Sequence, residues 1–351
     1  MKALGRIAAG TAIIMIFLAA STSQAQSLPP AARQAVYRGV LTSLNSYIFP
    51  DVGEKMKVEM KRRRATYLAI DNPDVLARTM TDDLREVSHD KHINVMAHSE
   101  LPTEAPSAQS READAIRSAS TAYGFYDVRH LPGNIGYVDL HSFTDGPETE
   151  AYAISAMTLV SHSNALIIDV RKNHGGLPAV AELLTGYLTG KMELIARVRT
   201  RHPDGSFEIE DRYSVVPKSI QSYQNPVYIL TSKATFSAAE YFTYCVQSAG
   251  RGRVVGEVTG GGGNSGDVFP LAAGFSIFIP TGSIESAVTH RGWEGAGVQP
   301  NISTTADAAL TEAYKLALLA TKAQTHSEQE RKAIDAVLAD PDGALKSSAQ
   351  L

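Results

Sequence analysis

Cysteine is almost missing from this chain of 351 residues: Cys245 is the only one. A single thiol closes no internal disulfide and builds no multi-cysteine zinc site. It stands among apolar residues in "YFTYCVQSAG" and reads as a core thiol rather than a reactive one. An excess of either charge is missing too. There are 33 Lys and Arg against 37 Asp and Glu, a formal net charge of −4, which offers a polyanion no attractive surface. No RNP-like, zinc-finger or basic-helix pattern occurs, so nucleic acid is set aside. After the first residues no run is apolar enough to cross a bilayer. The glycine-rich stretch "VTGGGGNSGD" is not G-x-G-x-x-G, no nucleotide motif is present, and no cofactor is expected.

What is present is a globular composition, 44% hydrophobic and 20% charged, with room for a real core. Lys2 and Arg6, the apolar "IAAGTAIIMIFLAA" and the small residues of "SQA" read as a signal peptide over residues 1–25. The mature chain is expected to start near Gln26 and to act in the periplasm or outside the cell, with no integral membrane segment once the signal is removed. An uncleaved anchor is the alternative.

Residues 26–100 read as a helical domain. "PPAARQAVYRGVLTSLNSYI", "DVGEKMKVEMKRRRATY" and "NPDVLARTMTDDLREVSHD" each carry helical spacing, the last with Asn72 or Asp71 as cap. Arg62, Arg63 and Arg64 read as a solvated helix face. Residues 101–131 look like a connector that is too short for a further module. Over 132–305 strands alternate with helices, which implies a layered α/β core, with a hairpin around "PDG". Residues 306–351 form a helical tail.

Two strand ends in that core can carry chemistry. In "IIDVRKNHGGLP", Gly175 and Gly176 separate a strand from a helix; they are a simple turn or a source of amide donors. In "LTSKATFSAAE", Ser237 is a helix N-cap or a nucleophile in the positive field of the helix end. An N–H at Ala238 would point beside its hydroxyl. "VTGGGGNSGD" is the rim of a cleft or a flexible surface loop. Among ten histidines, His89, His92, His141, His174 and His290 stand near these segments, and each alone is weak evidence. H-x-x-H at 89–92 has no second ligand cluster in the sequence, so no metal is expected.

Taken in order, "GNIGYVDLHSF", "ALIIDVRKNHGG", "VYILTSKATFSAAEYF", "RVVGEVTGGGG" and "GWEGAGVQPNI" resemble the S41 peptidase family of tail-specific proteases and the tricorn core protease. "DLREVSHDKHINV" resembles the helical region of the branch related to interphotoreceptor retinoid-binding protein. The resemblance covers about residues 30–305. It implies a crotonase-like α/β core and serine peptidase chemistry on a peptide or protein substrate. Ser237 falls at the nucleophile of a T-x-S-A-x-E pattern. The tail-specific branch places a Lys about 25 residues on, where this chain has Gly262, so a Ser–Lys dyad is absent. The tricorn-like Ser–His–Glu arrangement implies His92 as base and Glu294, 57 residues after Ser237, as the acid that orients the imidazole. His89 is the alternative base. Gly176 or Gly175, with Ala238, would supply the oxyanion amides. No PDZ-like stretch precedes the core. The retinoid-binding relatives imply a rival reading, a non-catalytic carrier of an apolar ligand on the same fold.

Overall fold

The computed structural model describes residues 27–97, 108–144, 146 and 148–348. The expected signal peptide and the first residues of the expected connector, 101–107, lie outside them. The chain opens with helices α1 (Pro30–Ser43), α2 (Pro50–Arg62), α3 (Arg64–Ala69) and α4 (Pro73–Ser88). Proline opens α1, α2 and α4, where its missing N–H costs nothing. Asn72 caps α4 by accepting the Val75 amide at 3.0 Å, as its sequence position suggests. The single helix read from "DVGEKMKVEMKRRRATY" is broken at Arg63 (φ −92°, ψ 9°). The cause is a buried partner. Arg63 pairs with Asp83 of α4, whose other oxygen takes the Tyr67 hydroxyl at 2.6 Å. The triple Arg is therefore not one solvated face: Arg62 pairs with Glu59 on the surface, and Arg63 ties two helices together.

Strand β1 (Asn94–Met96) follows, then α5 (Ala108–Ser120), β2 (Phe125–Leu131), β3 (Ile135–Leu140), α6 (Thr149–Val160), β4 (Ala165–Asp169) and α7 (Pro178–Thr189). Next come β5 (Leu194–Arg201), β6 (Phe207–Tyr213), β7 (Val227–Thr231), α8 (Ala238–Ser248), β8 (Arg253–Gly256), β9 (Asn264–Pro270) and β10 (Ser276–Ser286). The chain closes with β11 (Ile302–Ser303), α9 (Ala309–Gln324), α10 (Glu328–Ala339) and α11 (Pro341–Ser348).

Two sheets organise the fold. The six-stranded sheet runs β11-β8-β7-β4-β3-β2, parallel except for β2. Its central strands β4 and β7 are buried at every position and mostly apolar, as strands covered on both faces are. Leu166, Ile168 and Ile229 pack under α6, α7 and α8, while Ile167, Tyr228 and Leu230 pack under Tyr314 and Leu318 of α9. The helical tail is thus a layer of the core. The connector likewise supplies α5 and β2, the latter paired antiparallel to β3.

The five-stranded sheet runs β1-β10-β5-β6, with β9 on the other side of β10. Phe275, Ile277 and Ile279 close the same apolar cluster as Val36, Met56, Tyr67 and Leu84 of the first helices. The N-terminal helices therefore share a core with β10 rather than forming a free-standing domain.

Candidate active site

Ser237 immediately precedes α8, at the end of the short turn that follows the buried strand β7. It is the N-cap of that helix, and Glu240 completes a capping box. Its backbone, however, is at φ 53°, ψ −121°, not the extended conformation an N-cap ordinarily adopts. A non-glycine residue held there costs about 1–3 kcal/mol and persists only where its surroundings enforce it. The enforcement is visible. Glu240 Oε2 accepts the Ser237 amide at 2.9 Å, the Phe236 amide donates to Asn173 O at 3.0 Å, and the Gly260 amide donates to Thr235 O at 2.9 Å. A sharp turn between a strand and a helix, carrying a serine outward, is also the architecture of a nucleophile elbow. The N-cap and nucleophile readings of Ser237 are compatible.

The facing turn is shaped by the need for contact. A Cβ on Gly175 would lie 2.7 Å from Ser237 Cβ, and one on Gly176 would lie 2.0 Å from Phe143 O. Both glycines have positive φ, 105° and 134°. The Gly175 amide already donates to Asn173 Oδ1 at 2.9 Å. The amides of Gly176 and Ala238 have no acceptor among the described residues. Buried Asn173 also donates from Nδ2 to Leu140 O at 3.0 Å, so one side chain ties the glycine turn to the end of β3. Sequence reading passed over Asn173, although it lies within the quoted "RKNHGG". Ser237, Ala238 and Gly176 line one cavity of about 320 Å³ together with Val198, Tyr241 and Trp293.

The glycine-rich stretch is not a flexible surface loop: Gly260, Gly261, Gly262 and Gly263 are all buried, and Gly262 and Gly263 line the same cavity as Ser237. Two carboxylates hold it. Glu240 takes the amides of Gly261 and Gly262, each at 2.7 Å, and the Thr259 hydroxyl. Burial pushes the Glu240 carboxyl up, and these donors pull against that shift. Glu294 Oε2 takes the amides of Gly263 and Asn264 at 2.6 and 2.9 Å. Trp293 Nε1 donates to Gly262 O at 2.9 Å, which fixes the segment carrying Glu294 against the loop. Gly262 must be glycine: a Cβ would lie 2.4 Å from the Phe236 ring and 2.7 Å from His92 Cε1.

His92 sits in the bend between α4 and β1, its ring 4.5 Å from that of Phe236 and 5.8 Å from that of Phe278. It thus abuts the residue before Ser237. Burial lowers its pKa, with Asp90 pulling the other way, so the ring is neutral at neutral pH. Neither ring nitrogen makes a hydrogen bond among the described residues, to Ser237 or to Glu294. Asp90 Oδ1 lies 3.8 Å from His92 Nδ1 and accepts the His92 amide at 2.9 Å. Donor atoms of Asp90, His92 and Glu294 all lie within 4.8 Å of one another. Burial, and then the charge of Asp90, push the Glu294 carboxyl up to about 7. Asp90 was missed in the sequence because a lone Asp two residues before a His has no distinctive pattern. His89 is elsewhere in role: it is exposed and ends α4 in a left-handed cap (φ 58°). His174 bonds to Ala234 O and His141 to Asp139.

Comparison with known proteins follows the same segments. Residues 134–304 match the family model described as peptidase family S41. Residues 32–122 match the N-terminal domain of Peptidase_S41 in eukaryotic IRBP. The carboxyl-terminal-processing protease of Picosynechococcus sp. is 29% identical over 157 residues, 44% of this chain and 36% of that protein. The chloroplastic C-terminal processing peptidase of Tetradesmus obliquus is 34% identical over 151 residues, 41% of this chain and 30% of that protein. The chain thus spans about a third of the length of the curated relatives it matches. Among solved structures, a lipoprotein from Streptococcus agalactiae superposes with a TM-score of 0.57 at 16% identity, covering 82% of this chain and 96% of that one. The tricorn protease superposes with a TM-score of 0.51 at 14% identity, covering 89% of this chain and 37% of that one. These two likenesses show a shared fold. The two family matches take in both turns around Ser237, the bend carrying His92 and the segment carrying Glu294, and the chain belongs to peptidase family S41.

Proposed function

We propose that the protein is a serine-type peptide hydrolase. Ser237 is its nucleophile, His92 its general base, and Glu294 the acid that orients the imidazole. The observation that carries this reading is the backbone of Ser237, held left-handed beside a cavity into which two amides without acceptors, Gly176 and Ala238, also open. In this reading Ser237 Oγ attacks the scissile carbonyl, His92 takes the hydroxyl proton, and the two amides receive the charge that develops on the carbonyl oxygen. His92 then gives the proton to the leaving amine, and water resolves the acyl-enzyme. A neutral imidazole wedged against Phe236 is the form a base requires. The ring and the hydroxyl are not yet bonded, as is common before substrate binds. His92 is favoured over His89 because it alone adjoins both Phe236 and Glu294.

The surrounding assignments form one picture. The layered sheets are read as a crotonase-like core without a PDZ module, spanning about residues 132–305, with β2 and α9 added from the flanking segments. The substrate is a peptide or protein, and the site of action is the periplasm or the exterior. Among the described residues no helix is long and apolar enough to cross a membrane.

The test is covalent. A serine-directed phosphonate should add one adduct per chain, mapped to Ser237 by peptide mass spectrometry, and Ser237→Ala should abolish both labelling and peptide cleavage. An unlabelled protein that co-purifies with a lipid would instead identify a carrier of apolar ligands.

A further inference from the structure

Asp90, His92 and Glu294 hold more donor atoms than a catalytic base requires. The His92 side chain is only 10% exposed, yet both its nitrogens are buried without a hydrogen-bond partner. Two carboxylates converge on it. Asp90 is fixed by the His92 amide at 2.9 Å, Asn264 Nδ2 at 2.9 Å and the Tyr47 hydroxyl at 3.2 Å. Glu294 is fixed through Oε2 and has no hydrogen bond on Oε1 among the described residues. The neighbouring cations are engaged elsewhere: Lys91 Nζ bonds Gly260 O at 2.6 Å, and Arg85 Nε bonds Ile93 O at 2.7 Å. One buried carboxylate, one half-buried carboxylate and a neutral imidazole thus face one another with no positive group among them.

We propose that Asp90, His92 and Glu294 bind one divalent ion of the zinc class, and that the ion silences Ser237 by occupying the imidazole nitrogen. One nitrogen and two oxygen donors form the mixed set that zinc accepts, whereas calcium and magnesium favour oxygen alone. Two carboxylates balance the charge of the ion. Three protein ligands leave a fourth position open, and Glu294 and Asn264 line a second cavity of about 420 Å³ through which an ion and its water can enter. Donors about 2.1 Å from a tetrahedral ion lie ~3.4 Å apart. The present spacing, up to 4.8 Å, therefore closes by little more than about an ångström as the side chains turn inward. The ion displaces any proton on the carboxylates or the ring.

The binding half stands on these residues alone; the silencing half rests on the peptidase reading. Cobalt(II) is titrated into the full chain carrying Ser237→Ala, which removes no ligand. One equivalent should give the visible absorption of a low-coordinate site, and zinc should bleach it. Asp90→Asn and Glu294→Gln should each weaken cobalt binding at least about tenfold. Absence of the band, or a band unchanged in both variants, overturns the site. Zinc should also raise the melting temperature of the unaltered chain, a readout that needs no variant; no rise overturns it as well. Saturating zinc should then block phosphonate labelling of Ser237, and a chelator should restore it. Undiminished labelling overturns the silencing. A chain that binds cobalt but never takes the label upholds the ion site and defeats the peptidase reading.

Discussion

Glu240 accepts the amide of Ser237 at 2.9 Å and, through its other contacts, the amides of Gly261 and Gly262. One buried carboxylate therefore fixes both the serine turn and the loop that carries the wall of the His92 site. Replacing it by Gln puts an NH₂ among four donors. Glu240→Gln is expected to destabilise the protein by about 1–3 kcal/mol and to lower kcat far more than it alters KM. Denaturant unfolding and steady-state kinetics check the two effects separately.

The left-handed backbone of Ser237 predicts a difference between two inactive variants. Both Ser237→Ala and Ser237→Gly should lose peptide cleavage. Glycine, which has no Cβ to oppose φ 53°, should leave the protein more stable than alanine does, by about 1 kcal/mol. Equal urea midpoints would show that the turn stores no strain.

Cleavage should rise with pH as Glu294 gives up its proton near pH about 7. Glu294→Gln should remove that limb and leave the one set by His92, whose pKa is lowered from 6.5. The stability effect has the opposite sign. Between the ordinary value of 4.5 and about 7 the folded state keeps a proton on Glu294 that the unfolded chain has released. Native stability due to this group thus falls as pH rises through that window. Glu294→Gln should flatten the fall, seen as a melting temperature that drops less steeply between pH 4.5 and about 7.

Gly262→Ala places a methyl against the rings of Phe236 and His92. Overpacking of this kind costs about 1–3 kcal/mol, and relief requires the imidazole to move. The expected result is a folded protein with a large loss of kcat and a shifted His92 resonance in NMR titration. Unchanged kinetics would mean that the ring is not held by this contact.

Asn173→Ala frees the Gly175 turn and removes a buried donor from Leu140 O. A loss of about 1–3 kcal/mol is expected, with slower acylation by the phosphonate because Gly176 is no longer fixed beside Ser237.

The sequence made the alternation of strands and helices legible because central strands such as "ALIID" are apolar up to their last residue and bounded by turn residues. It also singled out Ser237, His92, Glu294 and the two glycines. It did not reveal β2, whose "FYDVRHL" mixes polar and apolar residues as an outer antiparallel strand does. Nor did it reveal that four glycines in a row are buried: nothing local shows that Glu240 and Glu294 supply acceptors for their amides. Asp90 and Asn173 escaped notice for the same reason. Their roles are defined by partners 174 and 33 residues away.

The first helices and β10 bury one apolar cluster between them. Cutting the chain after β1 would expose that seam on both fragments, and neither piece would keep the His92 ring against Phe236. Heat should accordingly melt the molecule in a single transition, and limited digestion should release no stable N-terminal fragment.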